Sequence, residues 1–324
     1  MFLGIEIGGT KLQLGVGPDD GKLRGLWRGA VDVAAGPEGI RRQIIAAVPE
    51  LLAKAGIERS QLRGVGIGFG GPVDDITHTV IKSHQIEGWD NYPLADWISD
   101  VVGLPAVLGN DADVAGLAEA LHGAGKGLSP IFYITIGSGI GGGFIINGEI
   151  YRGCGRGAAE FGHLRLLVSD DDRDINETDY APLEAVASGW AIEQRARQFA
   201  RRNPDHDLLF VRLAGGQADR VTTQHLGEAR NQGDRLAWAL IEMPCVYLAE
   251  AICHVITLLC PRRIIIGGGV SLLGEKLLFE PLRQIVSARV FKPFAGLTDI
   301  VPAALGEEVV IHGAIALARK RLAS

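Results

Sequence analysis

Residues 3–17, LGIEIGGTKLQLGVG, place one carboxylate, Glu6, inside an apolar run and follow it with Gly8, Gly9, Thr10 and Lys11. A glycine-rich bend lets backbone N–H groups converge on an oxyanion and a hydroxyl adds a donor, so the combination can cradle phosphate. The same residues also suit a tight turn between two strands with no ligand at all. A second bend, GSGIGG at 137–142, sets Gly137, Ser138 and Gly139 after IFYITI, which carries Thr135. Its G-x-G-x-x-G spacing matches the dinucleotide fingerprint, which requires a helix to follow. FIINGEI follows instead, with an Asn-Gly turn, so the segment reads strand, turn, strand and the dinucleotide reading fails. No G-x-x-x-x-G-K-[ST] occurs, which removes a P-loop. A third glycine run, Gly267, Gly268 and Gly269, ends the apolar RIII, and two matched hairpins with this third run favour a nucleotide.

Asn110 and Asp111 stand where a strand gives way to a helix in LGNDADVAGLAEAL. Either can cap that helix, and capping needs only one. A carboxylate beside a phosphate cradle is also where a general base takes a proton from an attacking hydroxyl. Further on, Glu160 and His163 in GAAEFGH and Glu184 in PLEAVA are acceptors and donors suited to sugar hydroxyls. They equally fit ordinary surface positions, and Glu-x-x-His without a third ligand at a sensible spacing does not make a metal site.

Strands and helices alternate along the chain, which predicts an α/β fold. FLGIEIGGTKLQLGV and IFYITIGSGIGGGFII share one pattern, so an internal duplication of a hairpin-led unit is expected. Helices are predicted at about 38–56, 94–102, after the polar corner Gly109-Asn110-Asp111 up to Gly123, 183–202, 234–259, after Ser271, and over EVVIHGAIALARKRL, with strands at 65–70, 106–108, 263–269 and 299–302. The loop SDDDRDINETDY, six acids against one arginine, reads as a solvated segment. Asp172, Asp174 and Asn176 have calcium-loop spacing, but the sixth position lacks glycine and the twelfth is Leu183.

The 324 residues are 47% apolar and carry a formal charge of -6, and no run of Lys/Arg longer than a pair precedes the tail ARKRL, so a nucleic-acid footprint is missing. Cys154, Cys245, Cys253 and Cys260 form no CxxC and read as buried free thiols of a reducing compartment. The N-terminus lacks the basic region of a signal peptide, and VYLAEAICHVITLLC carries Glu250 and His254 and falls short of the ~20 apolar residues of a span. A cytoplasmic protein with no membrane or nucleic-acid partner is expected.

GIEIGGTKLQLGV, GIGFGGPVD, GNDADVAGLAEALHGAGKG, YITIGSGIGGGFIINGEIYRGCGRGAAEFGH, LEAVASGWAI and IIIGGGVSLLGEKLL occur in that order. They resemble the ROK (repressor, open reading frame, kinase) family of bacterial sugar kinases in the actin-like ATPase superfamily, nearest its glucokinase branch. The resemblance implies two ribonuclease-H-like α/β domains flanking a cleft, divided as residues 1–109 plus 306–324 and residues 110–305, the larger carrying nucleotide and dimer contacts. It implies ATP with Mg²⁺ as cofactors, the phosphates at Glu6, Gly8, Gly9, Thr10 and Lys11 and at Thr135, Gly137, Ser138 and Gly139, and adenosine at Gly267, Gly268 and Gly269. A hexose would be held by Gly71, Asn110, Asp111, Glu160, His163 and Glu184, with Asp111 as general base for transfer to the 6-hydroxyl. Glucose is the first candidate. N-acetylmannosamine, fructose or allose are alternatives, and a sugar-binding regulatory homologue with weak or no kinase activity is a different class of answer.

Three departures stand out. The family usually has aspartate where this chain has Glu6, the metal residue, which would point toward Mg²⁺ or its waters. The usual Pro-Gly of the sugar motif reads Gly70-Gly71 before Pro72. The family's cysteine-rich zinc segment aligns with INETDYAP, which has no cysteine, so no structural zinc is expected and His163 is left to the sugar. Lys11 reads as solvent-facing on an alternating strand. A homodimer is expected by family analogy. The repressor branch carries a helix-turn-helix ahead of the first phosphate motif, where this chain begins, which disfavours DNA binding.

Overall fold

Large apolar residues alternate with glycine in V65-G66-I67-G68-F69, and that alternation sets how the first sheet is covered. The computed structural model describes residues 1–83, 86–155, 157–168 and 180–323. β1 (Phe2–Ile7) and β2 (Lys11–Gly17) form the first hairpin, with Glu6 opposite Gln13 and Ile7 opposite Leu12. β3 (Gly25–Ala30) extends it antiparallel, α1 (Gly36–Ala55) follows, and β4 (Val65–Phe69) returns parallel to β1. The small hairpin of β5 (Val73–Asp74) and β6 (Thr79–Val80), then α2 (Leu94–Val102), lead to β7 (Ala106–Asn110), parallel to β4, and to α3 (Asp111–His122).

Leu3, Ile5 and Ile7 share one face of this sheet with Val65, Ile67 and Phe69, and all are buried in one core with Ile40 and Ile44 of α1 and Leu94 and Ile98 of α2. Each such side chain contributes on the order of 1.5–3 kcal/mol by leaving water. The opposite face carries glycine. A Cβ on Gly66 would overlap the Ala314 carbonyl, one on Gly68 would overlap Val310, and one on Gly4 would stand 2.8 Å from Ile311 O. These glycines let the C-terminal helix lie directly on the backbone of β1 and β4, with α3 beside it.

The second half begins with β8 (Ile131–Ile136), β9 (Ile140–Ile146) and β10 (Glu149–Ile150), which bears out the strand-turn-strand reading of 131–146. β11 (Arg165–Leu167) and β12 (Tyr180–Pro182) pair antiparallel. Then come α4 (Leu183–Ala187), α5 (Gly189–Arg202), α6 (Leu209–Leu213), α7 (Thr223–Asn231), α8 (Arg235–Leu259), β13 (Arg263–Gly267), α9 (Glu280–Arg289), β14 (Asp299–Pro302) and α10 (Val309–Leu322). The two five-stranded sheets have the orders β3-β2-β1-β4-β7 and β10-β9-β8-β13-β14. Counting only the strands of each sheet, both read third, second, first, fourth, fifth, as a duplication requires.

By contacts the chain forms two units, residues 1–133, 143–159 and 303–324, and residues 134–142 and 160–302. α8 is long and apolar enough by composition to cross a membrane, but 67% of its apolar window is buried, packed on α4, α5, α7 and α9. Two expectations are corrected. The single helix predicted over 183–202 breaks at Ser188, which caps α5 by accepting from Ala191 N, while Gly189 N–H donates to Gly137 O at 2.8 Å. The helix predicted after Ser271 begins as a 3₁₀ turn, crosses Gly274 at φ 76° and becomes α-helical only at Glu280. Of the cysteines, Cys245 and Cys253 are buried, but Cys154 is exposed. The acidic segment 169–179 lies outside the described residues.

Candidate active site

In the first unit the hairpin turn is closed by Gly8 N–H donating to Lys11 O at 3.0 Å. Neither Gly8 nor Gly9 has a positive φ, so the turn does not need glycine for its conformation. Glu6 is the penultimate residue of β1, on the glycine-bearing face, and is 5% exposed. Burial pushes its carboxyl up to about 7 against the pull of Lys11, and the charges of Asp111 and Glu307 push in the same direction as burial. Lys11 Nζ lies 3.1 Å from Glu6 Oε1 with 44% of its side chain exposed, so the lysine that reads as solvent-facing is also the counter-ion of Glu6. Glu6 Oε2 is buried with no hydrogen-bond partner.

Asn110 is the N-cap of α3: its Oδ1 accepts from Ala112 N at 2.9 Å and Asp113 N at 3.3 Å. Its Nδ2 donates to Gly71 O at 3.0 Å, which ties the Gly70-Gly71 bend to the helix start. Since Asn110 takes the capping role, Asp111 is the first residue of the helix, and its Oδ1 accepts from Ala112 N at 2.8 Å. A Cβ on Gly70 would stand 3.5 Å from Asp111 Oδ2 and 3.6 Å from Gly8 Cα. Gly70 is thus the floor between the first turn and the Asp111 carboxylate. Gly71 is needed for close approach, since a Cβ there would come within 2.8 Å of Lys82 O. The structure therefore gathers Glu6, Gly8, Lys11, Gly70, Gly71, Asn110 and Asp111 at the carboxyl ends of β1, β4 and β7, where open α/β sheets bind ligands.

In the second unit Gly137 N–H donates to Gly139 O at 2.9 Å, with Thr135 half-buried on β8 and Ser138 exposed. Glu184, at the start of α4, accepts from Ile140 N at 2.8 Å through Oε2, and a Cβ on Gly139 would collide with that oxygen. Glu160 caps a 3₁₀ turn that ends with His163, both exposed, and a Cβ on the intervening Gly162 would overlap Ile140 O. Gly268 has φ 84° and its Cβ would stand 2.6 Å from Ile136 O, with Ser271 Oγ donating to Gly268 O at 2.7 Å. Within its own unit the 137–139 turn is thus met by Glu184 and Gly189, with Gly162, between Glu160 and His163, against Ile140 and Gly268 against Ile136.

Among the described residues no group of three or more His, Cys, Asp or Glu is placed to hold a metal ion. For Mg²⁺ brought with a nucleotide the fit is different, because the orphaned Glu6 Oε2 is a hard oxygen acceptor for a cation or its water. The sequence offers Lys11 as a phosphate contact or a solvent-facing residue, not as the partner of Glu6, and does not single out Gln13 or Glu119. The signals were a polar residue in a buried strand and a carboxylate in an otherwise apolar helix face.

A family model described as ROK family matches residues 2–321. The chain is 33% identical over 322 residues to the glucokinase of Thermotoga maritima, covering 99% of this chain and 98% of that protein. It is 32% identical over 324 residues to the glucokinase of Streptomyces coelicolor, with the same coverage. The crystal structure of a ROK family glucokinase from Streptomyces griseus, in complex with glucose and AMPPNP, superposes with a TM-score of 0.81 at 32% identity over 98% of this chain and 99% of that one. The duplicated sheets, the two glycine turns and the full-length match agree: this chain belongs to the ROK family and has the two-domain actin-like ATPase fold.

Proposed function

We propose that the protein is an ATP-dependent hexose kinase that phosphorylates glucose at its 6-hydroxyl, with Asp111 as general base. The observation that carries this reading is the Asp111 carboxylate, the first residue of α3 next to the Asn110 cap, set beside Gly70 and the first glycine turn. Full-length similarity to glucokinases, one of them bound to glucose and AMPPNP, supports it.

On this reading Asn110, Gly71, Glu160, His163 and Glu184 hold the sugar hydroxyls, and Asp111 accepts the 6-hydroxyl proton as its oxygen attacks the γ-phosphorus. The Gly8, Gly9, Thr10 and 135–139 turns donate N–H and O–H groups to phosphate oxygens, and Gly267–Gly269 borders the adenosine. Glu6 would hold Mg²⁺, which when bound supplies charge neutralisation across the transferred phosphate. The transition state is loose, so the protein's contribution is alignment and fixed donors. We further assign the protein to the cytoplasm, as a homodimer.

A coupled ADP-release assay across a hexose panel tests the reading. Glucose is expected to give the highest kcat/KM, and Asp111→Asn to lower kcat by at least about a hundredfold with glucose binding retained. Sugar binding without turnover in the wild type would sink the kinase assignment in favour of a regulatory homologue. Turnover led by N-acetylmannosamine, fructose or allose would move the substrate.

A further inference from the structure

Three residues of the first unit that stand next to its boundaries at 133–134, 142–143 and 302–303, namely Tyr133, Gly143 and Ala304, lie against α3. A Cβ on Gly116 would stand 3.1 Å from Tyr133 Cβ, and one on Gly143 would stand 2.9 Å from Ala112 O. At the third place the contact is chemical. Glu119 is 0% exposed on α3, whose other buried residues apart from Asp113 are alanine, valine, leucine and glycine, and no cation pairs with it among the described residues. Its Oε1 accepts from Ala304 N and Leu305 N, each at 2.9 Å, and its Oε2 accepts from Ala124 N at 2.7 Å. Carboxylates are almost never fully buried unless partnered, and three charge-assisted bonds to backbone are what offset the desolvation here.

The tie reaches both carboxylates of the candidate site. α3 starts with Asp111, two turns before Glu119. Two residues beyond Leu305, the Glu307 carbonyl accepts from Lys11 Nζ at 3.4 Å and from Gln13 Nε2 at 3.3 Å, and Lys11 is the counter-ion of Glu6. We propose that Glu119 is a positioning residue for phosphoryl transfer: by fixing the returning segment 303–307 to α3, it sets the Asp111 carboxylate in register with the Glu6–Lys11 pair. A purely apolar residue would fill the same space on α3 but would leave two amide donors of the returning segment without an acceptor.

The inference rests on the kinase reading, and the experiment separates the two. Glu119→Gln keeps the volume but offers one acceptor oxygen in place of two and turns an NH₂ group toward N–H donors. With folded protein well below its Tm, kcat at saturating glucose and ATP is expected to fall about tenfold to a hundredfold, as for a small misplacement of reacting groups. The KM for glucose should stay within about twofold, because Asn110 and Gly71 keep their own bond, and half-saturating Mg²⁺ should rise. A lowered Tm with wild-type kcat and Mg²⁺ dependence would show a structural prop and overturn the proposal. Should Glu119→Gln fail to fold, Gln13→Leu cuts the same chain of contacts at its other end and is expected to show the same kcat and Mg²⁺ signature; wild-type values there overturn it. Wild-type protein that releases no ADP with any hexose overturns the kinase reading instead. The tie is then judged by amide exchange at Ala304 and Leu305: at least about tenfold faster exchange in Glu119→Gln than in wild type supports it, and equal rates overturn it.

Discussion

Glu6 shows how much a single side chain can carry. A carboxylate at this depth costs free energy unless something offsets its charge, and the half-exposed Lys11 does so on one oxygen only. The unpaired oxygen is what a phosphate-bound cation or its water would use. Glu6→Gln keeps the volume and removes the charge, so half-saturating Mg²⁺ in the kinase assay should rise about tenfold to a hundredfold, as for other outer-sphere partners; an unchanged Mg²⁺ titration would remove Glu6 from the metal role. A second buried titratable group, His312 on α10, is held below its ordinary value of 6.5 chiefly by burial. As pH falls through 6.5 the unfolded chain takes up the proton first, so the stability His312 confers is present above that pH and is lost progressively below it. Thermal melts from pH 7.5 to 5 should fall more steeply for wild type than for His312→Gln, and parallel curves would contradict this.

Single residues decide where elements stop. Asn110 was legible as a cap because Asn before a helical run is a local signal, and the structure places it there with two backbone bonds. The break at Ser188 was not legible, because Gly189 is called for by the Gly137 carbonyl, 52 positions away along the chain. Gly139 is similar: it looks like turn chemistry, but its φ is not positive and its role is to admit the Glu184 carboxylate. Gly139→Ala should therefore act on the sugar side, raising the glucose KM by about tenfold or more through displacement of Glu184. Steady-state kinetics alongside a thermal melt would check it, and a wild-type KM would show that the turn absorbs the methyl group. In β4 the alternation of glycine with Val, Ile and Phe marked one face for close helix approach, a signal readable by period alone but not tied to any helix until α10 is seen lying on it.

On the scale of the whole molecule, the C-terminal helix belongs to the first unit although it is last in sequence. Ten consecutive residues, Val309 to Ala318, are buried, packed on β1, β4 and α3. A chain ending at Pro302 would expose that glycine face and leave Glu119 without two of its three donors. Such a truncation should lose cooperative unfolding and the amide protection of β1 and β4, while α8 retains protection in the second unit. Exchange mass spectrometry reports both regions, and protected β1 amides in the truncated chain would refute the dependence.

Composition, alternation and two matched hairpins determined the α/β class, the duplication and the strand-turn-strand form of both glycine turns, because those are local or periodic properties of the chain. The order of motifs from Glu6 to Gly269 was enough to place it beside a family of sugar kinases. Only the tertiary structure decided which carboxylate is orphaned, which asparagine caps the helix that Asp111 begins, why Gly139 must be glycine, and that Glu119 binds the returning chain. Each of those depends on residues far apart in sequence meeting at distances of a few ångströms, where burial removes water and every donor and acceptor must find its partner within the protein.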